Sequence, residues 1–414
     1  MAGTPPFLPY GRQTVTEEDI AAVTAVLRGD WLTQGPAVTA FEQALASRVG
    51  AADAVACANG TAALRLAYAA LEIGAGDAVV VPSNTFLATA SAVHHTGSEI
   101  AFADVDPDTG LMGAAEAEAA IGRARAAGWR VRALAPVHYA GQSAPMAELG
   151  ALARAEGLAV VEDGCHAIGT VDLAAGAAAR ETPVGACAES TLTVFSFHPV
   201  KTIAAGEGGA VTGNDRDLMA TVRRLANHGM IRAPGLGETF ADPQSAVDIN
   251  GDPNPWYYEM TRPGFNHRLS DIHAALALSQ LGRLDEAVER RRALMARYDE
   301  RLAPLAANPR SLVRPPVRVP WCRPAWHLCA ARIDFAAAGL SRAAVMAALR
   351  AQGIGTQVHY IPVHRQPYWR RRYGDLALPG AMAHYAHTLS LPLFAGMADA
   401  DVDRVVAALG QALG

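Results

Sequence analysis

AVACANGTAALRLAYAALEIGAGDAVVVP, residues 54–82, decides the fold. Ala54–Ala58 is a short, continuously apolar run, the pattern of a strand covered on both faces. Asn59-Gly60 interrupts it, and Thr61–Leu71 reads as a helix. After the Gly74-Ala75-Gly76 break a second buried run follows, Ala78–Pro82. Strand, helix and strand within one such stretch point to a parallel α/β layer.

The alternation continues outward. Further strands are expected at Glu99–Val105, Val131–His138, Leu158–Glu162, Leu192–Phe197 and Gly209–Thr212. Helices are expected at Ala88–His94, Ala114–Ala127 and Met146–Glu156. The fold class is therefore α/β, with a mostly parallel seven-stranded sheet flanked by helices. Ser270 is placed to cap a long helix reaching about Leu302. The Pro-rich passage Pro304–Pro324 marks a boundary. Beyond it lies a small α+β pattern: strand Trp326–Ile333, helix Ser341–Gln352, strand Thr356–His359, helices Gly380–His387 and Asp399–Leu413. The expected organisation is an N-terminal arm (1–35), a large domain (36–303) and a small C-terminal domain (304–414).

Composition narrows the function classes. Half of the residues are apolar (51%) and 18% are charged, which fits a folded globular chain. A net charge of −5 gives no footprint for nucleic acid. No apolar run approaches the about 20 residues of a membrane span, and MAGTPPFLPYGRQ lacks a signal-peptide pattern. The cysteines at 57, 165, 187, 322 and 329 include no C-x-x-C, so reduced thiols and a cytoplasmic protein are expected. Cys165 and His166 have no second pair at zinc spacing, so no metal site is expected.

Ligands of such sheets sit beyond the carboxyl ends of the strands. Gly60-Thr61-Ala62 follows a strand and opens a helix, a weak phosphate-cradle signal for which a plain helix cap is the commoner reading. Val160-Val161-Glu162-Asp163 puts a carboxylate at a buried strand end, where it needs a cation. SFHPVKTIAAGEGGA (196–210) delivers Ser196, then Lys201, then a glycine turn. Lys201 is the single lysine among 35 basic residues; arginine fills every other position. A primary amine can condense with an aldehyde and a guanidinium cannot. Phosphate cradle, amine and buried acid make the inventory for pyridoxal 5′-phosphate (PLP).

These residues carry a resemblance. SFHPVKTIAAGEGG with VEDGCHAIG, GTAAL, GDWLTQGP (29–36), PSNTFLATA (82–90), DVDPDTG (104–110), PVHYAG (136–141), FNHRLSDIHAALALSQL (265–281) and VHYIPVH (358–364) resembles the sugar-nucleotide aminotransferases. These are fold type I, aspartate-aminotransferase-like enzymes. The resemblance spans nearly the whole chain and implies residue roles. Lys201 is the expected Schiff-base lysine and Asp163 the partner of the pyridine nitrogen. His166 would lie against the ring near its 3′-oxygen, Phe86 would stack on the ring, and Thr61, Ala62 and Ser196 would grip the phosphate. Asn266 would reach the cofactor of a neighbouring subunit, which implies a homodimer with shared active sites. Thr33, Gln34, His138, His228, Arg268, His327, His359 and Tyr360 are the implied substrate residues.

A narrower resemblance, in PWYYEM (255–260), GFNHRLSDI, FSFHPVK and TQGP, is to the pseudaminic acid branch of that family. It implies transfer of the amino group of L-glutamate to C4 of UDP-2-acetamido-2,6-dideoxy-β-L-arabino-hexos-4-ulose. The product would be UDP-4-amino-4,6-dideoxy-N-acetyl-β-L-altrosamine. The chain departs from the pattern at His267, where Tyr is usual, and at Val171–Gly185, which is longer and richer in Ala. The rivals are the same chemistry on a GDP- or dTDP-linked ketosugar, a dehydratase, and a PLP-binding regulator without turnover. Related dehydratases carry His in place of the lysine; Lys201 argues against that reading.

Overall fold

The computed structural model describes residues 6–173, 181–232, 240–306 and 312–413. All seven expected strands form: β1 Asp53–Cys57, β2 Asp77–Pro82, β3 Glu99–Ala103, β4 Arg130–Leu134, β5 Ala159–Asp163, β6 Leu192–Ser196 and β7 Gly209–Gly213. They build one sheet in the order β1-β7-β6-β5-β4-β2-β3. β3, β2, β4, β5 and β6 run parallel. β7 is antiparallel to both of its neighbours, pairing Gly209 with Ser196 on one side and Cys57 on the other. Three chain segments therefore meet at one sheet edge: the ends of β1 and β6 and the start of β7.

The helices are α1 Glu17–Arg28, α2 Pro36–Val49, α3 Gly60–Ala70, α4 Leu87–His94, α5 Ala114–Ala126, α6 Met146–Glu156, α7 Arg216–Ala226, α8 Asp271–Leu281, α9 Leu284–Ala306, α10 Arg342–Ala351, α11 Pro367–Tyr373, α12 Pro379–His387 and α13 Asp399–Leu413. Small residues let α3 pack closely on β6 and β7; Ala62, Ala63, Leu66 and Ala67 are buried there. α1, α2, α7 and α11 lie outside the elements expected from the sequence.

Two expectations change. The single helix from Ser270 to Leu302 is two helices. Ser270 does cap α8, accepting the His273 N–H at 3.3 Å. At the break, the Arg283 N–H donates to Gln280, three residues back, at 3.1 Å. That turn aims the Arg283 side chain at the buried Asp19. Thr356–His359 is not a strand. Only Gln357 pairs, with Ser390, and the following residues turn into a cavity wall.

A second core surrounds a three-stranded sheet of β8 Val313–Arg314, β9 Cys329–Ile333 and β10 Thr388–Leu391. Tyr298 and Leu302 of α9, Val345 and Leu349 of α10, and Val402, Val405 and Leu409 of α13 fill it. Val171–Leu173 and Glu181–Pro183 form a hairpin paired with Cys322–Arg323. Residues 174–180, the middle of the Ala-rich departure, lie outside the described residues.

In that hairpin Asp172 is largely buried, and its Oδ1 has no partner. Burial pushes its carboxyl up to about 6. The folded form thus holds a proton more tightly than the unfolded chain, so stability falls as pH rises from about 4 through 6. Asp172→Asn is expected to raise stability at pH 8 by up to about 3 kcal/mol and to leave it nearly unchanged at pH 4. Urea melts at the two pH values measure this.

Candidate active site

The edge where β1, β6 and β7 meet forms a tight cradle. A Cβ on Gly60 would lie 2.9 Å from Ser196 Cβ and 3.3 Å from Cys165 Sγ. A Cβ on Gly209 would lie 2.4 Å from the backbone of Asn59. Neither position admits a side chain without displacement. Asn59 caps α3 by accepting the Ala62 N–H at 2.9 Å. Gly60, Thr61 and Ser196 line the cavity in front of the helix start; Ala62 is buried behind it, with its N–H given to Asn59. A helix start with glycine at N1 and two hydroxyls facing a cavity suits a phosphate.

The cavity has a volume of about 570 Å³. Asp163 forms its floor, 6% exposed. The Thr89 hydroxyl donates to Asp163 Oδ2 at 2.7 Å and the Cys165 N–H donates to Oδ1 at 3.2 Å. Thr85 in turn lies 2.7 Å from the Thr89 hydroxyl. No arginine or lysine pairs with Asp163 among the described residues. A buried carboxylate fixed by two donors and lacking a cation fits a protonated pyridine nitrogen.

Lys201 lines the same cavity. Its backbone is set by a turn in which its N–H donates to the His198 carbonyl at 2.8 Å. Burial holds the amine below the usual lysine range, against the opposing pull of Cys165 and Asp163. A larger neutral fraction makes it a better nucleophile.

An imidazole group covers one side. His166 Nε2 lies 3.0 Å from the Tyr360 hydroxyl, and the His166 and His327 rings are 4.3 Å apart. His359 is held by the Ser390 hydroxyl at 2.8 Å from its Nδ1. Burial, reinforced by neighbouring positive groups, keeps His166 and His327 well below the usual imidazole range, and His359 falls to about 3. These rings are neutral at pH 7. Phe86, 56% exposed, stands across the cavity with its ring 5.9 Å from that of Tyr360.

Of the residues expected from the sequence, Thr61, Phe86, Asp163, His166, Ser196, Lys201, His327, His359 and Tyr360 share this cavity. His138 does not. It is fully buried, accepting the Ala144 N–H at Nδ1 (3.1 Å), with Nε2 2.6 Å from Glu162. Its backbone N–H donates to the Asp163 carbonyl, so it fastens the strand end that carries Asp163. Thr33, Gln34, His228, Asn266 and Arg268 lie outside the cavity wall, in loops bridged to one another. Arg268 Nη1 donates to Asn227 at 2.7 Å, and its Nε has no partner. Gln34 and His228 hold left-handed backbone conformations (φ 57° and 62°), a strain that often accompanies function. Tyr10, Asn59, His198, Glu207 and Gln357 also line the cavity and were not singled out by the sequence. Only Asn59, beside Gly60, carried a local signal, as a helix cap.

Residues 13–410 match the DegT/DnrJ/EryC1/StrS aminotransferase family, and the chain belongs to it. It is 38% identical over 406 residues to the Bacillus subtilis spore coat polysaccharide biosynthesis protein SpsC, covering 97% of this chain and 96% of SpsC. Its structure is similar to that of Helicobacter pylori PseC, an aminotransferase involved in the biosynthesis of pseudaminic acid. The TM-score is 0.84 at 25% identity, over 98% of this chain and 99% of PseC. It is also similar to Streptococcus pneumoniae Spr1654 in its PLP form, with TM-score 0.83 and 25% identity over 98% of each chain; that protein is also known in a PMP form. The protein is a PLP-dependent sugar aminotransferase of fold type I.

The cradle yields a prediction. Gly60→Ala places a methyl group between α3 and Ser196. PLP affinity is expected to fall by about tenfold or more, for a cost of about 1–3 kcal/mol, as measured by cofactor titration of the apoprotein.

Proposed function

We propose that this chain moves the amino group of L-glutamate to C4 of UDP-2-acetamido-2,6-dideoxy-β-L-arabino-hexos-4-ulose, giving UDP-4-amino-4,6-dideoxy-N-acetyl-β-L-altrosamine for pseudaminic acid biosynthesis. One observation carries the chemistry: Lys201 and the cation-free Asp163 face a single cavity beside the Gly60–Ser196 cradle. Bound PLP supplies an aldehyde and an electron-accepting ring. Lys201 Nζ holds the cofactor covalently and, once released, carries a proton between the donor carbon and the cofactor carbon. Asp163 keeps a proton on the ring nitrogen, with Thr89 and the Cys165 N–H fixing its two oxygens. Ser196, Thr61 and the α3 start at Gly60 hold the phosphate; Ala62, its N–H already given to Asn59, stands behind them. Phe86 covers a ring face. His166, held by the Tyr360 hydroxyl, would lie beside the 3′-oxygen of the bound cofactor.

His327, His359 and Tyr360 are the substrate contacts from this chain's own cavity. Thr33, Gln34, His228 and Arg268 serve, with Asn266, the cavity of a second copy in a cytoplasmic homodimer. Their place outside the chain's own cavity supports this, as do the exposed Trp31, Leu32, Trp256 and Met260. Arg268 suits a diphosphate through its planar donor fork.

The likeness to PseC supports the pseudaminic acid substrate. The higher identity to SpsC favours a second reading, the same transfer to another nucleotide ketosugar destined for a surface polysaccharide. Incubation with glutamate and a panel of UDP-, GDP- and dTDP-linked 4-ketosugars, with NMR of the products, separates the two. Amination confined to a GDP- or dTDP-sugar would reject the first.

A further inference from the structure

A second cavity, of about 240 Å³, shares Lys201 with the active-site cavity as a wall residue. Its other walls come from the N-terminal arm at Arg12, the α8–α9 junction at Arg283, Glu286, Arg290 and Arg291, and Ala395 in the loop before α13. Four guanidinium groups thus meet one lining carboxylate, that of Glu286. Asp19 answers Arg283, and Asp399 answers Arg290 at 2.8 Å. Arg12 and Arg291 form no ion pair among the described residues.

Arg291 is the telling member. It is 2% exposed, and its Nη1 donates only to backbone carbonyls, Leu393 at 2.9 Å and Trp326 and His327 at 3.4 Å. Its Nε has no partner, and neither has that of Arg283. Burial with no counter-charge pulls the Arg291 guanidinium down to about 10. A buried cation facing only dipoles is costly, and an anion in the adjoining space relieves it. Guanidinium groups match oxyanions through paired N–H donors.

We propose that this cavity is a subsite for a small oxyanion, a carboxylate or a phosphate, held by Arg12 and Arg291, with Arg290, whose nitrogens are bonded to Asp399 and the Met397 carbonyl, adding positive charge to the wall. The occupant ties the N-terminal arm to α9 and to the loop before α13. It shares a wall residue with the site of chemistry without belonging to the phosphate cradle. The inference does not depend on which sugar is aminated.

The test uses the PLP-loaded protein, whose cradle is already filled, so that added phosphate reports the second cavity. Inorganic phosphate and succinate are titrated separately at ionic strength held constant with KCl, with Tm and calorimetric affinity as readouts. At about 100 times Kd the Tm rises by a few degrees. Arg12→Gln, in the exposed arm, and Arg290→Gln each weaken binding at least fivefold. Arg291→Met removes support from three carbonyls and can unfold the chain, so Arg12→Gln is the deciding variant. Saturable binding of phosphate alone, succinate alone or both supports the subsite and identifies the oxyanion it prefers. No saturable binding of either, or wild-type affinity in both glutamine variants, overturns it.

Discussion

Lys201→Arg is expected to abolish transamination, lowering kcat by at least about 10³-fold, while the chain stays folded. Arginine preserves the positive charge but cannot condense with an aldehyde or exchange protons near neutral pH. The cavity already depresses the lysine's proton affinity through burial, which an arginine would resist. The visible absorption of lysine-bound cofactor should vanish, and released PLP should be removable by dialysis. Stopped-flow absorbance on mixing with glutamate measures the first half-reaction directly. A variant that kept both absorption and half-reaction would remove Lys201 from the chemistry.

Asp163→Asn carries the second large effect. The substitution keeps the shape and removes the charge. The Thr89 hydroxyl and the Cys165 N–H, now aimed at the Asp163 oxygens, can still be accepted by the amide oxygen on one side only. The ring nitrogen then loses its anion, and the electron sink weakens. A fall in kcat of about 10²–10⁴-fold is expected, with a smaller rise in the KM for glutamate. Thr89→Val leaves the charge and removes one donor, so it should cost about tenfold, the lower end of what a hydrogen bond to a charged group, about 1.5–3 kcal/mol, is worth. Steady-state kinetics on the three proteins places them in that order.

The parts of the fold legible in the sequence were those fixed by local pattern. β2, buried at every position, and β5, ending on a buried acid, read directly from apolar runs. Ser270 was legible as a cap because capping is a local hydrogen bond. The split between α8 and α9, at Gly282, was not read from the apolar pattern, which runs on through it; the pairing of Arg283 with Asp19, far away in sequence, shows only in the folded chain. Thr356–His359 looked like a strand by composition, yet only tertiary context turns it into a cavity wall. The same holds within the site. Ser196, Lys201 and Asp163 stood out because their residue types are unusual where they occur. Tyr10 and Glu207 carry no such local mark and reach the cavity only through the folded arrangement. His138 sits next to the right strand, but its ring turns inward to Glu162.

Reduction of the PLP-loaded protein with borohydride, followed by proteolysis and peptide mass mapping, is the most direct measurement. Trapped cofactor is expected on the peptide containing Lys201 and nowhere else, with no trapping in Lys201→Arg. Cofactor fixed to another group, or still fixed in the arginine variant, would contradict the assignment of Lys201 as the amine that binds it.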